Sequence, residues 1–430
     1  MEIKNLNFLF IHYHYPPIRN SGVYRNYFLS SALAESTHRS FLITTDNRKY
    51  LPNEILPLHP SIKKYEAFTV DYRRIIAWLK GSNAKAGAQF SEQTKKSTFA
   101  AWMIKVQRSF PFNLLLAEGS LIYIIRSYFI ANKLINEHKI DVIFSSFMPY
   151  SDHIIAYLVK KKHPQIKWVA DFRDLHVEPI YKNTIWIPFQ NWVEKKILFR
   201  ADLVTCVSEG ISKKMRYYHN NVITVTKGVE LQMSETQYEK KFTISYSGSL
   251  FLDFRDPKVV FQALMELMND GNMDKDKFQF LYAGKDSVVM RKKVDEAGLG
   301  HYFVDRGFVS RAEALEIQSM SHLNLLLTSS SDEHQGLLTG KLFEYFEAGN
   351  PVLCVIKGVY DDEIESIFTE LDAGYIVYDP SDIAGLKLFI LQKYNEWILT
   401  GQVNSTINKS LLIKNYSWQG QARKIIDALV

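Results

Sequence analysis

The chain has 430 residues, of which 47% are hydrophobic and 23% are charged, and its formal net charge is +6. This length exceeds what one ordinary core supports, so we expect two domains, and the composition is typical of a soluble globular protein. We expect no secretory signal peptide, because the first residues run almost directly into a strand-like stretch, and no membrane span, because the most apolar segment is interrupted by Glu118 and Arg126. The two cysteines lie in strand-like apolar runs without metal-binding spacing, which predicts buried thiols in a reducing compartment.

Short apolar runs, each followed by a helical pattern, recur along the chain. They occupy residues 7–13, 39–46, 141–147, 167–174 and 202–208 in the first half, and 222–228, 243–250, 278–285, 302–309, 323–329, 351–356 and 373–379 in the second. Continuous apolar strands that alternate with helices predict parallel sheets buried on both faces. We therefore predict an α/β protein with two doubly wound sheets joined near residues 225–242, and ligand sites beyond the carboxyl ends of the strands.

Residues 61–110 carry ten basic and three acidic side chains, a net charge of +7. Aromatic residues are interleaved with these charges: Trp78, Phe90, Phe99, Trp102 and Phe110. This composition is typical of a segment that contacts an anionic membrane surface or an anionic acceptor, and the alternative is a solvated insertion without a partner. No nucleic-acid-binding motif accompanies the charge, so we expect no nucleic acid partner.

The loop after the first strand, HYHYPPIRNSGVYR, is the first candidate site. Gly22 allows a ligand to approach the backbone, a helix is predicted to start near residue 23, and Arg25 lies in its first turn. His12 and His14 have no third ligand at a recognisable metal spacing, so we interpret them as strand histidines with local hydrogen bonds.

The fourth strand ends in ADFRDLH, which places Asp171, Arg173 and Asp174 within four residues. Isolated charges are costly to bury, so these three side chains either form a paired network or face a ligand. In the second half, Gly248 ends a strand, and Arg255 follows on a loop where it can neutralise a phosphate.

The stretch GLLTGKLFEYFEAGNPVLCV, residues 336–355, carries the strongest signal. Thr339 and Gly340 precede a helix predicted to begin near Lys341, where a threonine can cap the helix and free N–H groups favour an anion. Lys341 and Glu344 share one helix face, while apolar residues occupy the others. Because those flanks are apolar, we favour a ligand-binding pair over a surface ion pair.

In order and spacing, these stretches resemble the GT-B glycosyltransferases, in particular the retaining nucleotide-sugar enzymes of glycosyltransferase family four. HYPPIRNSGVYR is similar to the family's N-terminal glycine loop, and DFRDLH to a DFRDPW sequence in a branch that acts on bacterial cell-surface polysaccharides. Residues 194–215 resemble the segment that closes the N-terminal domain, SYSGSL the start of the donor domain, and GKLFEYFEAGNPVL the donor-binding helix.

The resemblance implies a GT-B architecture of two Rossmann-like domains that face a central cleft. Residues 1–225 would form the acceptor-side domain, with a basic insertion at about residues 61–130 and a C-terminal helix, 415–430, packing back on it. Residues 226–414 would bind the nucleotide-sugar donor.

The resemblance also assigns roles to single residues. Donor-binding residues would be Gly248 at the start of the donor domain, Arg255, Thr339, Gly340 and Lys341 at the diphosphate, Glu344 at the ribose and Phe308 near the base. Asp171, Arg173 and Asp174 would be catalytic, and Gly22 and Arg25 would face the acceptor or the sugar. The chain departs from the family pattern at Gly336, where relatives often have a glutamate, at Ser249, where they have an arginine, and at a histidine for which Arg173 is the nearest counterpart.

The implied reaction transfers a sugar from a nucleotide diphosphate sugar to a lipid-linked or polysaccharide acceptor, with retention of anomeric configuration, in capsule or O-antigen synthesis. No cofactor or metal is expected, because Lys341, Arg255 and a helix N-terminus can stabilise the departing diphosphate. We expect a cytoplasmic protein, peripheral on the inner face of a bacterial plasma membrane. A nucleotide-sugar epimerase and an inactive scaffold of the same fold are the alternatives, whereas a dinucleotide oxidoreductase is disfavoured because no G-x-G-x-x-G follows a strand.

Overall fold

The structure is a computed structural model. It describes residues 6–18, 21–35, 39–46, 56–70, 102, 105–106, 108–116, 118–177, 183–230, 238–250, 255–332, 335–336, 338–378 and 382–430. The chain divides into two compact units, Met1–Gly228 together with Trp418–Val430, and Val229–Ser417. Among the described residues, no helix is long and apolar enough to cross a membrane.

The first unit is built on one sheet. Its strands within the described ranges are β1 (Phe8–Ile11), β2 (Ser40–Thr45), β3 (Ile62–Ala67), β4 (Val142–Phe147), β5 (Lys167–Phe172), β6 (Leu203–Cys206) and β7 (Val222–Thr224). Its helices are α1 (Ser21–Glu35), α2 (Asn113–Leu116), α3 (Leu121–Glu137), α4 (Ser151–Lys162), α5 (Ile187–Leu198) and α6 (Glu209–Met215), with one more at the C-terminus of the chain.

All strand pairings in this sheet are parallel, in the order β3-β2-β1-β4-β5-β6-β7. Along β1, Leu9 and Ile11 belong to one buried cluster, and Phe8 and Phe10 belong to another. Successive side chains of a strand point to opposite faces, so both faces of this sheet are buried. This explains why the strands read as continuous apolar runs.

Two strands of the first sheet differ from the prediction. β3 lies inside the segment 61–110 that was interpreted as an insertion, and it pairs with β2. Only its ends, Ile62 and Ala67, are buried, because β3 is an edge strand, so it lacks a continuous apolar pattern. The apolar run 222–228 is counted with the second half, whereas the bounds 1–225 include β7 in the first domain; β7 pairs with β6 and closes the first sheet.

The second unit contains a second parallel sheet. Its strands in the described part of the chain are β8 (Phe242–Ser247), β9 (Phe278–Ala283), β10 (Phe303–Asp305), β11 (Leu323–Ser330), β12 (Val352–Gly358) and β13 (Gly374–Val377). Its helices are α7 (Lys258–Asn269), α8 (Ser287–Glu296), α9 (Arg311–Met320), α10 (Gly340–Ala348), α11 (Asp362–Leu371), α12 (Ile383–Thr400) and α13 (Lys409–Tyr416). The strand predicted at 302–309 is shorter than expected and ends at Asp305.

The second sheet has the order β10-β9-β8-β11-β12-β13, and all its pairings are parallel. Strand order reverses beside β8 here and beside β1 in the first sheet, so each unit has a topological switch point at the carboxyl ends of its central strands. The last helix, α14 (Trp418–Leu429), belongs to the first unit and packs against α1.

Candidate functional site

The switch point of the second sheet brings Gly248 and Lys341 together. Gly248 follows β8 with φ of +136°, and the loop after β11 leads into α10, which carries Lys341 in its first turn. A Cβ atom on Gly248 would lie 1.7 Å from Lys341 Nζ. The ammonium group also lies 4.9 Å from the centre of the Tyr246 ring, a cation–π distance. Only glycine at position 248 leaves room for this ammonium group.

Arg255 is a second cation near this point. Its guanidinium group donates to the Ser249 carbonyl oxygen at 3.1 Å, which holds the side chain over the loop after β8. Burial of the ammonium group, reinforced by Arg255, lowers the pKa of Lys341 to about 7, although Glu344 and Asp286 act in the opposite direction. An anion bound between the two cations would relieve this unfavourable electrostatic environment.

A hydrogen-bond network fixes the loop after β8. Tyr282 Oη donates to the Gly248 carbonyl oxygen at 2.9 Å and accepts from the Asp286 N–H at 3.0 Å. Asp286 Oδ2 in turn accepts from the Leu250 N–H at 2.8 Å. Groups at the carboxyl ends of β8 and β9 therefore fix the position of Gly248 next to Lys341.

The N-terminus of α10 differs from the prediction in one respect. Thr339 occupies the N-cap position, but its hydroxyl group makes no capping hydrogen bond, and its buried Oγ1 has no partner among the described residues. The predicted threonine cap is therefore wrong. The first turn of α10, from Gly340 onward, is not capped by this side chain, and a helix N-terminus beside a lysine is suited to an anion.

The structure gives a reason for glycine at position 336. Gly336 has φ of +68°, a left-handed conformation that a glutamate adopts only with strain. Its N–H donates to Asp361 Oδ2 at 2.8 Å, and the same buried carboxylate caps α11 by accepting from the Ile364 N–H at 3.1 Å. Asp361 thus fixes the loop that precedes α10.

Glu344 lies one turn after Lys341 on α10, and its side chain is 20% exposed. Its Oε1 lies 3.9 Å from Arg311 Nε, at the first residue of α9. The side chain is therefore a mostly buried carboxylate beside a cation. It is positioned to accept hydrogen bonds from hydroxyl groups of a ligand whose anionic part lies at Lys341.

Phe308 lies apart from these groups, on the loop after β10, with 76% of its surface exposed. The preceding Gly307 has φ of +66°, and its carbonyl oxygen accepts from the Gly284 N–H at 2.8 Å. This bond joins the loops after β9 and β10. The exposed Phe308 ring can therefore stack on a flat group of a ligand at this edge of the sheet.

In the first unit, Arg25 and Asp171 form a buried ion pair. Arg25 donates to both carboxylate oxygens of Asp171, at 2.7 and 3.2 Å, and to the Thr226 carbonyl oxygen at 2.8 Å. Asp171 also accepts from the hydroxyl groups of Ser146 and Thr205, at 2.9 and 2.8 Å. Burial by itself raises the pKa of Asp171, but Arg25 and these hydrogen bonds outweigh it and hold the pKa below its ordinary value.

The geometry therefore gives Asp171 and Arg25 a structural task rather than the sugar-facing roles that the resemblance implies. Both residues are buried, and the hydrogen bonds of Asp171 come from within the protein. The pair ties α1 to β5 and to the chain after β7.

Arg173 and Gly22 are brought together at the carboxyl edge of the first sheet. Arg173 donates to the carbonyl oxygens of Phe147 and Met148, at 2.7 and 3.0 Å. A Cβ atom on Gly22 would lie 1.1 Å from an Arg173 terminal nitrogen, so the guanidinium group packs on the Gly22 backbone. Asp174 is partly exposed beside Arg173 in sequence and has no hydrogen-bond partner among the described residues. Arg173 and Asp174 are partly exposed and remain the accessible candidates of this unit, whereas Gly22 is buried beneath the Arg173 guanidinium group.

The two N-terminal histidines are buried. His12 lies between the rings of Phe10 and Tyr15, and burial lowers its pKa to about 3, so it is neutral at physiological pH. His14 Nε2 lies 2.7 Å from a carboxylate oxygen of Glu118. Within the basic segment 61–110, residues 71–101, 103, 104 and 107 lie outside the described residues, and with them Trp78, Phe90 and Phe99.

Three residues at the second switch point were not found from the sequence: Tyr246, Asp286 and Arg311. Tyr246 stands two residues before Gly248, and positions two apart along a strand lie on the same face of the sheet. The sequence SYSGS therefore indicated that the Tyr246 ring lies on the face where Gly248 leaves space. Arg311 follows Ser310 in SRAE, a capping-box sequence that marks a helix start at the carboxyl edge of β10. Asp286 acts through distant backbone contacts that no local pattern indicates.

No protein-family model and no curated protein matches the sequence. Solved structures match in fold. TarM aligns with a TM-score of 0.61 at 12% sequence identity, covering 98% of each chain. The lipopolysaccharide outer core galactosyltransferase WaaB aligns with a TM-score of 0.56 at 11% identity, covering 99% of each chain.

A third structure, the pneumococcal O-GlcNAc transferase GtfA in complex with UDP and GlcNAc, aligns with a TM-score of 0.53 at 11% identity and covers 99% of each chain. These structural neighbours are GT-B glycosyltransferases, and at such low identity the likeness concerns the fold alone. The chain therefore has the GT-B fold, with two parallel-sheet α/β domains, and the predicted fold class is confirmed.

Proposed function

We propose that the protein is a glycosyltransferase that moves a sugar from a nucleotide diphosphate sugar to a lipid-linked or polysaccharide acceptor in cell-surface glycan biosynthesis. The observation that carries the proposal is the pair of cations at the switch point of the second sheet. Lys341 is held against Gly248 and Tyr246, with Arg255 close enough to lower its pKa. A diphosphate is the ligand whose charge and size match two adjacent cations beside a helix N-terminus.

The donor-binding roles follow from this placement. Lys341, Arg255 and the first turn of α10 after Thr339 and Gly340 hold the diphosphate. Glu344, one turn later on α10, accepts hydrogen bonds from the two ribose hydroxyl groups. Gly248 supplies the close backbone approach, and Phe308 lies on the loop that we assign to the nucleobase.

The chemical task of the donor site is to stabilise a leaving group. When the glycosidic bond to phosphate breaks, the departing nucleotide diphosphate gains negative charge, and fixed cations in a partly desolvated site stabilise that charge most. Lys341 and Arg255 can do so without a metal ion, so we propose a metal-independent reaction. Binding of the diphosphate raises the pKa of Lys341 and keeps its ammonium group charged.

The first unit is proposed to serve the acceptor and the transferred sugar through Gly22, Arg173 and Asp174. Asp171 and Arg25 position these residues by fixing α1 and the end of β5. The remaining parts of the proposal rest on the resemblance given above: retention of configuration, membership of glycosyltransferase family four, and a cytoplasmic location at the inner face of the plasma membrane in bacteria.

The decisive experiment measures nucleotide release. The purified protein is incubated with UDP-, GDP-, ADP- and dTDP-sugars, with and without a bacterial lipid extract, and the liberated nucleoside diphosphate is quantified. We expect release with one nucleotide class, with acceleration by an acceptor in the extract. Lys341→Met should reduce release by about a hundredfold, the range typical of losing one charged group at a developing anion.

A matched control is Lys292→Met, because the Lys292 side chain is 77% exposed on α8 of the same unit. This variant should keep wild-type release. If no nucleotide raises the melting temperature and no nucleotide is released, the glycosyltransferase proposal fails and the inactive scaffold gains support. Interconversion of a nucleotide sugar without release would instead identify an epimerase.

A further inference from the structure

An exposed apolar surface on the first unit has no role in the proposed donor chemistry. α5 buries Gln190, Glu194, Ile197 and Leu198, which lie on one side of the helix. The other side and the helix ends expose large aromatic and aliphatic groups: Trp186, Ile187, Phe189, Trp192 and Phe199. Trp192 is 57% exposed and Phe199 is 84% exposed. We refer to these five side chains as the α5 face.

A second apolar stripe lies on α3. Leu121, Ile122, Ile125 and Phe129 are exposed on the side of this helix opposite its buried residues, and Phe129 is 66% exposed. We refer to these four side chains as the α3 stripe. Contiguous exposed apolar groups of this number are uncommon on a protein surface that contacts only water.

Residues 110–116 connect the two surfaces. The Phe110 ring lies 6.2 Å from Phe189, and the Phe112 ring lies 5.8 Å from Trp186, measured between ring centres. The same segment continues into α2, which packs against α3.

Basic side chains predominate along the described elements that carry this surface. Lys195 and Lys196 are exposed on α5, and Lys196 Nζ lies 5.9 Å from the centre of the Trp192 ring. Arg126 is exposed within the α3 stripe. The sequences 108–133 and 183–200 contain two acidic residues, Glu118 and Glu194. Glu194 is buried, and Glu118 lies 2.7 Å from His14 and is only partly exposed, so the exposed cations outnumber the exposed acidic groups along these two stretches.

We propose that the α5 face and the α3 stripe dock the first unit on an anionic lipid bilayer. Tryptophan beside lysine suits the boundary between headgroups and acyl chains, exposed phenylalanine and isoleucine side chains suit shallow insertion, and the cations suit lipid phosphates. A second copy of the chain is a poorer occupant, because the same face on both partners would place basic groups against basic groups. This surface differs from residues 61–110, where the sequence alone placed membrane contact.

Vesicle sedimentation of the full chain tests the proposal independently of any transferase activity. The probes are phosphatidylcholine vesicles, with and without about one third phosphatidylglycerol, at low and physiological salt. We expect the wild-type protein to sediment with the anionic vesicles and to bind the neutral ones at least about tenfold more weakly. The bound fraction should fall as salt rises.

Two double variants separate the two contributions. Phe189→Ser with Trp192→Ser removes apolar groups, and Lys195→Glu with Lys196→Glu reverses the charge. Each double variant should lower the partition coefficient on anionic vesicles by about tenfold or more. The first removes apolar side chains that insert into the bilayer, and the second removes the attraction between the lysines and the anionic lipid. The control pair is Leu388→Ser with Leu399→Ser, two exposed leucines on α12 of the second unit, which should bind as the wild type does.

All substituted side chains are exposed, so we expect each variant to fold. Circular dichroism melting checks this. Equal binding of the wild-type protein to neutral and anionic vesicles would overturn the proposal, as would unchanged binding of both double variants. Reversible self-association of the wild type in ultracentrifugation, abolished by Phe189→Ser with Trp192→Ser and accompanied by no vesicle binding, would assign the face to a second copy and also overturn it.

Discussion

Replacing Lys341 with methionine should stabilise the fold at neutral pH while it removes donor binding. Lys341 is a partly buried cation whose pKa is about 7 in the folded protein, against 10.5 for an ordinary lysine. The unfolded chain therefore binds more protons than the folded chain between these two pH values. The free energy of unfolding of the wild type consequently rises as pH increases through this window.

The size of the stability gain follows from the difference between the pKa of Lys341 in the folded and in the unfolded chain. At about 1.4 kcal/mol per pH unit, the full window from 7 to 10.5 corresponds to about 5 kcal/mol for a completely desolvated group. The side chain is partly exposed, and methionine loses the cation–π contact with Tyr246, so we expect a net gain of about 2 kcal/mol at pH 7. The advantage of the variant should shrink towards zero near pH 10.

Urea unfolding at pH 7 and pH 10 measures this difference, with Lys292→Met as the exposed control that should leave stability unchanged at both values. A Lys341→Met variant that is less stable than the wild type at pH 7 would refute the reasoning. A gain that is the same at both pH values would also refute it, because the gain would then not arise from the ammonium charge.

Gly248→Ala should weaken nucleotide binding in a thermal-shift assay, because its Cβ would lie 1.7 Å from Lys341 Nζ and would displace the ammonium group. Gly271→Ala is the control: Gly271 also has positive φ but lies in open space, so an effect that both substitutions share reflects backbone strain. Glu344→Gln should weaken nucleoside diphosphate binding by about tenfold in calorimetry, the worth of one charged hydrogen-bonding group, whereas Glu347→Gln on the same helix should not. Arg25→Met should destabilise the first unit by about 3–5 kcal/mol in chemical denaturation, because Asp171 is left as an unpaired buried carboxylate. Adding Asp171→Asn should recover much of that loss, and equal stability of the single and double variants would contradict the buried-pair interpretation.

The sequence predicted the two parallel sheets because their strands are buried on both faces. Phe8, Leu9, Phe10 and Ile11 show the pattern, with alternate side chains in two different cores. β3 escaped this reasoning because an edge strand is covered only in part, and Lys63 and Glu66 do not look like a strand interior. The pattern of apolar runs counted β7 with the second half, although the domain bounds 1–225 include it, because a strand of three residues carries no information on which sheet it joins.

Within the site, the sequence placed Lys341 and Glu344 correctly on one face of a helix, since helical spacing is a local property. It did not reveal that Thr339 makes no capping bond or that Arg311 reaches Glu344. Such contacts join segments far apart in the chain. The surroundings of Asp171 could not be predicted for the same reason. Its four hydrogen bonds come from α1, β4 and β6, and no sequence spacing relates it to Arg25.

The central claim is that Lys341 belongs to a diphosphate site, and proton uptake on binding tests it most directly. Calorimetric titration of the nucleoside diphosphate that raises the melting temperature is carried out at pH 8 in two buffers of different ionisation enthalpy. With a pKa of about 7, Lys341 is mostly neutral at this pH, and a bound anion recharges it, so the wild type should take up about 0.9 proton per nucleotide. Lys341→Met should take up none and bind more weakly. Binding by the wild type without proton uptake, or equal affinity of the variant, would contradict the proposed site.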